Sequence, residues 1–293
     1  MKYNLRNTYI TLLAVLIFLA GCKKEYESIE EIDSREVQSY IKANNLDVQQ
    51  YNNTGIYYQI ITPGTGEVLD YTDKIYATFT AKSLDGRFSM QADSLNRFTS
   101  FLGYFSTENG YPAAFATAIK EIPLRSGGTI RLIIPSHRAY GRSGNSSLDI
   151  PGNSSLDCTI TLYDVDSQAE FEDVFVRRYI QANKITIDNP RTPNGLYYQI
   201  LNEGSGEEVN ESSEITVKYT GKLTNGTVFD ESASYTSSLY LLIPGWQQGL
   251  PKIKEGGKIR LIVPPALGYG SSPTGAIPPY STLDFTIELL DVQ

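Results

Sequence analysis

Gly195-Leu-Tyr-Tyr-Gln-Ile-Leu-Asn-Glu-Gly-Ser-Gly206 repeats an earlier stretch, Gly55-Ile-Tyr-Tyr-Gln-Ile-Ile-Thr-Pro-Gly-Thr-Gly66. Downstream, Thr129-Ile-Arg-Leu-Ile-Ile-Pro135 returns as Lys258-Ile-Arg-Leu-Ile-Val-Pro264, and Ala139-Tyr-Gly141 as Gly268-Tyr-Gly270. Upstream, Tyr40-Ile-Lys-Ala-Asn44 returns as Tyr179-Ile-Gln-Ala-Asn183. Self-similarity in fixed order marks a duplicated structural unit. The offset is about 140 residues early in the unit and about 129 late, so the first copy holds roughly ten extra residues. A chain of 293 residues suits two domains. The repeats place them at 34–165 and 190–293, joined by a linker helix over 166–189.

Each copy opens on a helical pattern. Ser28 with Glu31, and Ser167 with Glu170, have capping-box spacing. Phe171, Val174, Phe175 and Ile180 then fall near one helical face, and Asn45 and Asn183 stand near the ends. Short strands follow. Ile215, Val217 and Tyr219 alternate with polar residues, as do Ile259, Leu261 and Val263, and Leu283, Phe285, Ile287 and Leu289. Period-two alternation implies an antiparallel sheet with one face on a core and one in water. Trp246, Leu250 and Ile253 interrupt it with helical spacing, with Pro244 suited to the first turn and Pro251 and Gly256-Gly257 ending the helix. The fold class is α+β: two tandem units, each a twisted antiparallel sheet wrapped on one short helix and preceded by another helix.

Composition removes several functions. The net charge is −8, which argues against a nucleic-acid partner. One histidine, His137, and two cysteines, Cys22 and Cys158, are too few for a zinc site, a disulfide framework or a Cys–His pair. No metal and no cofactor is expected, and Cys158 reads as a buried thiol. At the amino terminus, Lys2 and Arg6 precede an apolar run from Tyr9 to Ala20, too short to span a bilayer. It ends in Leu19-Ala20-Gly21-Cys22, which resembles a bacterial lipobox. The resemblance implies a signal peptide over 1–21, acylation of Cys22, a tether over 22–33, and a membrane anchor. Cleavage would remove the charges of Lys2 and Arg6, taking −8 to −10. The expected location is the cell envelope, lipid-anchored. Lys23 after the cysteine points to the outer membrane, facing the periplasm.

In the second copy, Val217-Lys-Tyr219-Thr-Gly221 leads through Asn225-Gly226 to Phe229-Asp230. Leu242-Ile243-Pro-Gly245-Trp246 follows, then Gly268-Tyr269-Gly270, Ile277-Pro278-Pro279 and Leu283-Asp-Phe285. This series, in this order, resembles the FKBP-type peptidyl-prolyl cis–trans isomerases over about residues 190–293. The resemblance implies a proline pocket with Trp246 as floor, Tyr219, Phe229 and Phe285 as walls, and Leu242 and Ile277 at the sides. The Ile243 backbone N–H and the Tyr269 hydroxyl would hold substrate carbonyls. Asp230, bonded to Tyr219, would stand near the carbonyl that rotates. Proline-containing polypeptides become the expected partners, and macrolide inhibitors candidate ligands. Between Asp230 and Leu242 the chain is about six residues shorter than small eukaryotic FKBP domains, and the family's aromatic strand residue has no clear match there. Leu239, Tyr240 or Leu241 stands as a substitute.

The chemistry such a pocket performs needs no acid, base or metal. Rotation about an X–Pro bond passes through a twisted state that has lost amide resonance, over a barrier of about 20 kcal/mol. The planar ground state is the more dipolar one. An apolar pocket therefore disfavours it relative to the twisted state, and each 1.36 kcal/mol of that preference gives about tenfold in rate.

The first copy departs from this pattern. Phe79 takes the place of Tyr219, Ser89-Met90 that of Phe229-Asp230, Thr117 that of Trp246 and Cys158 that of Phe285. Tyr140 and Ile150 keep their identity. A pocket lacking floor, wall and acid should not grip proline, so 34–165 is expected to be FKBP-like without isomerase activity. An insert from about Ser89 to Ala118 carries Phe98, Phe101, Tyr104, Phe105, Tyr111 and Phe115. It either binds client chains or fills the vacant pocket, the second being preferred. His137 reads as exposed and incidental. The leading function is thus an envelope isomerase that assists folding of exported proteins. The alternative is a non-catalytic binding module, a holdase or a part of an envelope assembly.

Overall fold

The computed structural model describes residues 27–90, 97–188 and 192–293. The expected signal peptide over 1–21 and the expected acylation site at Cys22 lie outside them. Two antiparallel sheets are built with the same strand order. The first runs β1 (Gln49–Gln50), β2 (Tyr57–Thr62), β6 (Thr129–Ile134), β7 (Leu156–Tyr163), β3 (Lys74–Ser83) and β4 (Ser89–Met90), with β5 (Arg97–Phe101) also pairing β3. The second runs β8 (Tyr197–Asn202), β11 (Lys258–Val263), β12 (Leu283–Val292), β9 (Glu214–Leu223) and β10 (Val228–Ser238). The position that β10 fills with one strand is divided in the first unit between β4 and β5, where the extra residues enter.

Alternation decides what each face does. Phe285, Ile287 and Leu289 turn inward on β12, with Val217 on β9 and Ile259, Leu261 and Val263 on β11. A single short helix, α4 (Pro244–Gly249), closes this core through Trp246, and Leu250 and Ile253 continue it. Pro244 opens α4, where a missing N–H costs nothing. In the first unit the equivalent helix, α2 (Ala113–Glu121), is longer.

The outer faces depart from the expectation of water. Helix α1 (Ile29–Ala43) lies against the first sheet and α3 (Gln168–Ala182) against the second. The two docking sites are copies. Asp157 on β7 takes both Nε and Nη2 of Arg131, at 2.8 and 2.6 Å, and the Tyr40 hydroxyl donates to it at 2.8 Å. Asp284 on β12 takes Arg260 at 2.9 and 2.6 Å, and the Tyr179 hydroxyl at 2.7 Å. Both aspartates occupy polar positions of the alternation, yet they are 5% and 4% exposed, because a helix covers them. The repeated Tyr-Ile-x-Ala-Asn segment thus supplies the helix's hydroxyl anchor.

His137 is not incidental either. Its Nδ1 meets Asp33 of α1 at 2.6 Å, and Asp33 also accepts from the His137 N–H and the Ser136 hydroxyl. A buried carboxylate survives desolvation only with such partners. The α1 capping box is complete, with Ser28 and Glu31 exchanging both bonds. In α3, Ser167 accepts from Glu170, but the Glu170 carboxylate turns to the Asp166 N–H.

Helix α3 touches both sheets. Phe171 and Phe175 pack on Tyr163, and Phe171 also on Tyr76, all on the first unit. Val176, Tyr179 and Ile180 pack with Ile185, Tyr197 and Ile262 on the second. Burying a side chain like Phe171 is worth about 1.5–3 kcal/mol, so α3 is a shared structural layer. No described helix is long and apolar enough to cross a membrane.

Candidate functional site

A cavity of about 310 Å³ opens on the concave side of the second sheet. The strand register explains its shape. Phe285 on β12 stands opposite Gly221 on β9, and Ile287 opposite Tyr219. A Cβ on Gly221 would come within 2.7 Å of both the Phe229 and Phe285 rings, so only glycine lets these walls close over the strand. Trp246, at the start of α4, rises into the same space.

The rings meet edge to face. Trp246 is 5.0 Å from Tyr219 and 5.2 Å from Phe285, at interplanar angles of 80° and 90°. Phe229 meets Phe285 at 5.5 Å and 87°. Such pairs add about 0.5–1.5 kcal/mol beyond burial, and they fix the walls. The Tyr219 hydroxyl donates to Asp230 at 2.6 Å. Ile243 is the N-cap of α4, so its N–H precedes the helix's own hydrogen-bond ladder. Burial, then the bond to Asp230 and its charge, pushes the Tyr219 phenol far above its ordinary value. Burial and the Asp230 charge push Tyr269 up as well. Both phenols therefore stay protonated hydrogen-bond donors. No group of three or more His, Cys, Asp or Glu among the described residues is placed to hold a metal ion.

Of the residues singled out by sequence, Tyr219, Phe229, Asp230, Leu242, Ile243, Trp246, Tyr269 and Phe285 line this cavity together. Ile277 does not line it. Mutual backbone bonds with Thr274 close the turn ahead of Ile277, and its side chain is buried in the second unit's core. Two further residues line it, Tyr235 and Leu241. Leu241 is one of the three residues the sequence offers in place of the missing aromatic. Tyr235, packed on Tyr219 at 6.0 Å, was missed. A register shift between Ser232 and Tyr235 takes it out of the alternation that sequence reading follows. Its being the lone aromatic between Asp230 and Leu239 was the available signal.

The matching space in the first unit is full. Phe79 packs edge-on against Phe105, Tyr111 and Phe115 at 6.0, 5.6 and 5.6 Å. Phe98 stacks on Phe105 at 4.4 Å. The Tyr140 hydroxyl, counterpart of Tyr269, donates to the Gly110 carbonyl at 2.9 Å, so the insert occupies it. Phe101 and Tyr104 turn outward instead, 48% and 56% exposed. Thr117 does not stand where Trp246 does. Phe115 holds that helix position, its N–H bonded to Pro112 as that of Trp246 is to Ile243. Thr117 donates its hydroxyl to the Ala113 carbonyl. The longer α2 shifts the count by two. Cys158 does stand at the Phe285 register, opposite Ala81, and is fully buried, which pushes its thiol up.

Comparison with known proteins agrees on the second unit. The family described as FKBP-type peptidyl-prolyl cis-trans isomerase matches residues 205–290. An FK506-binding protein of Neisseria meningitidis serogroup B is 45% identical over 105 residues, which cover 33% of this chain and 96% of that protein. The FKBP-type peptidyl-prolyl cis-trans isomerase FkpA of Escherichia coli K12 is 46% identical over 103 residues, 34% of this chain and 38% of FkpA. The FkpA crystal structure aligns with a TM-score of 0.39 at 38% identity, covering 43% of this chain and 61% of that one. The chain spans between 38% and 55% of the length of the first FkpA relatives it matches.

Proposed function

Because the chain belongs to the FKBP-type peptidyl-prolyl cis–trans isomerase family, we propose that its second unit, residues 190–293, turns over X–Pro bonds in the cavity floored by Trp246. The proline ring lies on the indole between Tyr219, Phe229 and Phe285. The Ile243 N–H and the Tyr269 hydroxyl hold two chain carbonyls. Apolar surroundings disfavour the dipolar planar amide, while Asp230, held by Tyr219, faces the carbonyl that turns away. The phenols stay protonated, so no proton moves.

The observation that carries this reading is the convergence of Trp246, Tyr219, Phe285, Asp230 and Tyr269 on one open cavity. In residues 34–165 the same place is occupied by Tyr111 and Phe105, which supports a first unit without turnover. Its outward Phe101 and Tyr104 favour a binding role there. The lipobox supports a lipid anchor at Cys22 and an envelope location, with exported proteins as clients.

The test uses the full chain and a short X–Pro peptide whose cis fraction relaxes without protease. Wild type accelerates relaxation. Trp246→Leu, with its secondary structure intact by circular dichroism, loses at least tenfold of kcat/KM. A folded wild type that does not accelerate relaxation turns the protein into a peptide-binding module.

A further inference from the structure

The turn Leu239–Leu241 leads directly into the pocket wall at Leu242 and the N-cap of α4 at Ile243. Gln247, one residue past the Trp246 floor, reaches back to this segment. Its Nε2 donates to the Leu242 carbonyl at 2.6 Å and to the Tyr240 carbonyl at 3.1 Å. Both neighbours are acceptors, so the side-chain amide must face them with its nitrogen, and each of its two N–H groups has a target.

The Leu242 carbonyl and the Ile243 N–H belong to one peptide unit. That unit is planar and trans, so its carbonyl and its N–H point opposite ways. Holding the carbonyl therefore sets the direction of the N–H. Ile243 lines the pocket, and its N–H has no acceptor among the described residues. The adjoining bonds act on other peptide units. The Leu242 N–H donates to Leu239 at 3.1 Å, and the Ile243 carbonyl accepts from the N–H groups of Trp246 and Gln247 at 2.9 and 3.2 Å. Among the described residues, only the Gln247 side chain makes a hydrogen bond to the peptide between Leu242 and Ile243.

The first unit lacks both parts of this arrangement. Phe115 stands where Trp246 does, so Pro112 is the counterpart of Ile243 and Ala116 that of Gln247. Proline has no N–H, and alanine has no side-chain donor. Where insert rings fill the pocket, the amide and the residue that holds it are absent together.

We propose that Gln247 is a positioning residue for the isomerase. By anchoring the Leu242 carbonyl it aims the Ile243 N–H at the substrate carbonyl, and through Tyr240 it fixes the rim on which Leu241 stands. The proposal rests on the isomerase reading of the pocket. A donor aimed before the substrate arrives needs no ordering when the chain binds. The Ile243 N–H serves the planar and the twisted amide alike, so its misdirection is read in KM rather than in kcat.

The test compares full-length wild type, Gln247→Leu and Gln247→Glu, each shown to be folded by its urea midpoint. Peptide relaxation gives kcat and KM, and nuclear magnetic resonance reports the Ile243 amide without substrate. Leucine keeps most of the volume and removes both donors. It is expected to raise KM about two- to tenfold, as loss of one hydrogen bond does, with kcat within about twofold. It should also broaden the Ile243 resonance, which is sharp in wild type, as the freed peptide exchanges between orientations. At pH 7, Gln247→Glu sets a carboxylate against two carbonyl oxygens and raises KM further. A carboxyl so placed protonates above its usual value of about 4.3. Between pH 7 and pH 5 it gains an O–H that can donate to Leu242, and KM falls back toward wild type. Asp230 lines the pocket in every version, so KM is expressed relative to wild type at each pH. If wild type does not turn the peptide over, the isomerase reading fails, and the Ile243 resonance still decides whether Gln247 holds the peptide. An Ile243 resonance alike in wild type and Gln247→Leu, equal KM in those two, or a Gln247→Glu ratio that stays flat with pH overturns the proposal.

Discussion

Gly221 is the residue on which the two units part. In the second unit it stands beneath Phe229 and Phe285, with no room for a Cβ. In the first unit the same register holds Ala81, and the facing strand carries Cys158. One methyl has entered and one ring has left, and the insert's rings, Phe105, Tyr111 and Phe115, take up the space that remains. Gly221→Ala is therefore expected to cost about 1–3 kcal/mol of stability, as overpacking does. It should also lower kcat/KM at least tenfold. Adding Phe285→Cys relieves only one of the two clashes, leaves Phe229 in place and opens a cavity that no insert fills, so it should return neither stability nor activity. Denaturant midpoints and peptide relaxation measure both. Equal stability of Gly221→Ala and wild type contradicts the packing argument. The ring identities were legible because each sits in a short motif with fixed neighbours. Tyr235 was not, since a bulge hides the face a side chain takes. Phe115 was not, since gap-free counting cannot see that the first unit's helix is longer.

At the scale of elements, what α1 and α3 do depends on two aspartates that look solvated. Asp157 and Asp284 fall at polar positions of clean strand alternations, and their tyrosine partners are 117 and 105 residues away in sequence. The capping-box helices were legible from local spacing. Their docking was not, because nothing local reports a helix returning to cover a strand. The Asp157 cluster has an acid signature. Burial alone would raise its carboxyl, but the bonds from Arg131 and Tyr40 and the Arg131 charge outweigh it and hold the group below its ordinary value. A folded value below the unfolded one adds stability above the usual carboxylate range, near pH 4. That stability is lost as pH falls through the lower folded value. The urea midpoint of wild type is expected to drop between pH 5 and pH 3. Asp157→Asn should be less stable at pH 6 by up to about 3 kcal/mol and show a shallower drop. Parallel acid profiles for the two proteins contradict this assignment.

At the scale of the molecule, one architecture appears twice with opposite outcomes for its concave face. The second copy leaves that face open, with aromatic walls and protonated donors. The first fills it from its own insert, even to the bond from Tyr140 to Gly110. The duplication itself was legible throughout, because repeats need no knowledge of contacts. The filling was legible as aromatic excess in the insert, but which rings turn in and which turn out depended on tertiary packing. A shared α3 between the units makes the full chain the proper object of study. The central claim, that turnover belongs to the second unit alone, is tested most directly by refolding of a proline-limited protein in the presence of the full chain. Three versions are compared: wild type, Tyr140→Phe in the first unit, and Trp246→Leu with Asp230→Val in the second. Acceleration by wild type and Tyr140→Phe alike, with at least a tenfold loss in the double variant, is the predicted result. Acceleration retained by the folded double variant, or lost in Tyr140→Phe, would contradict the account.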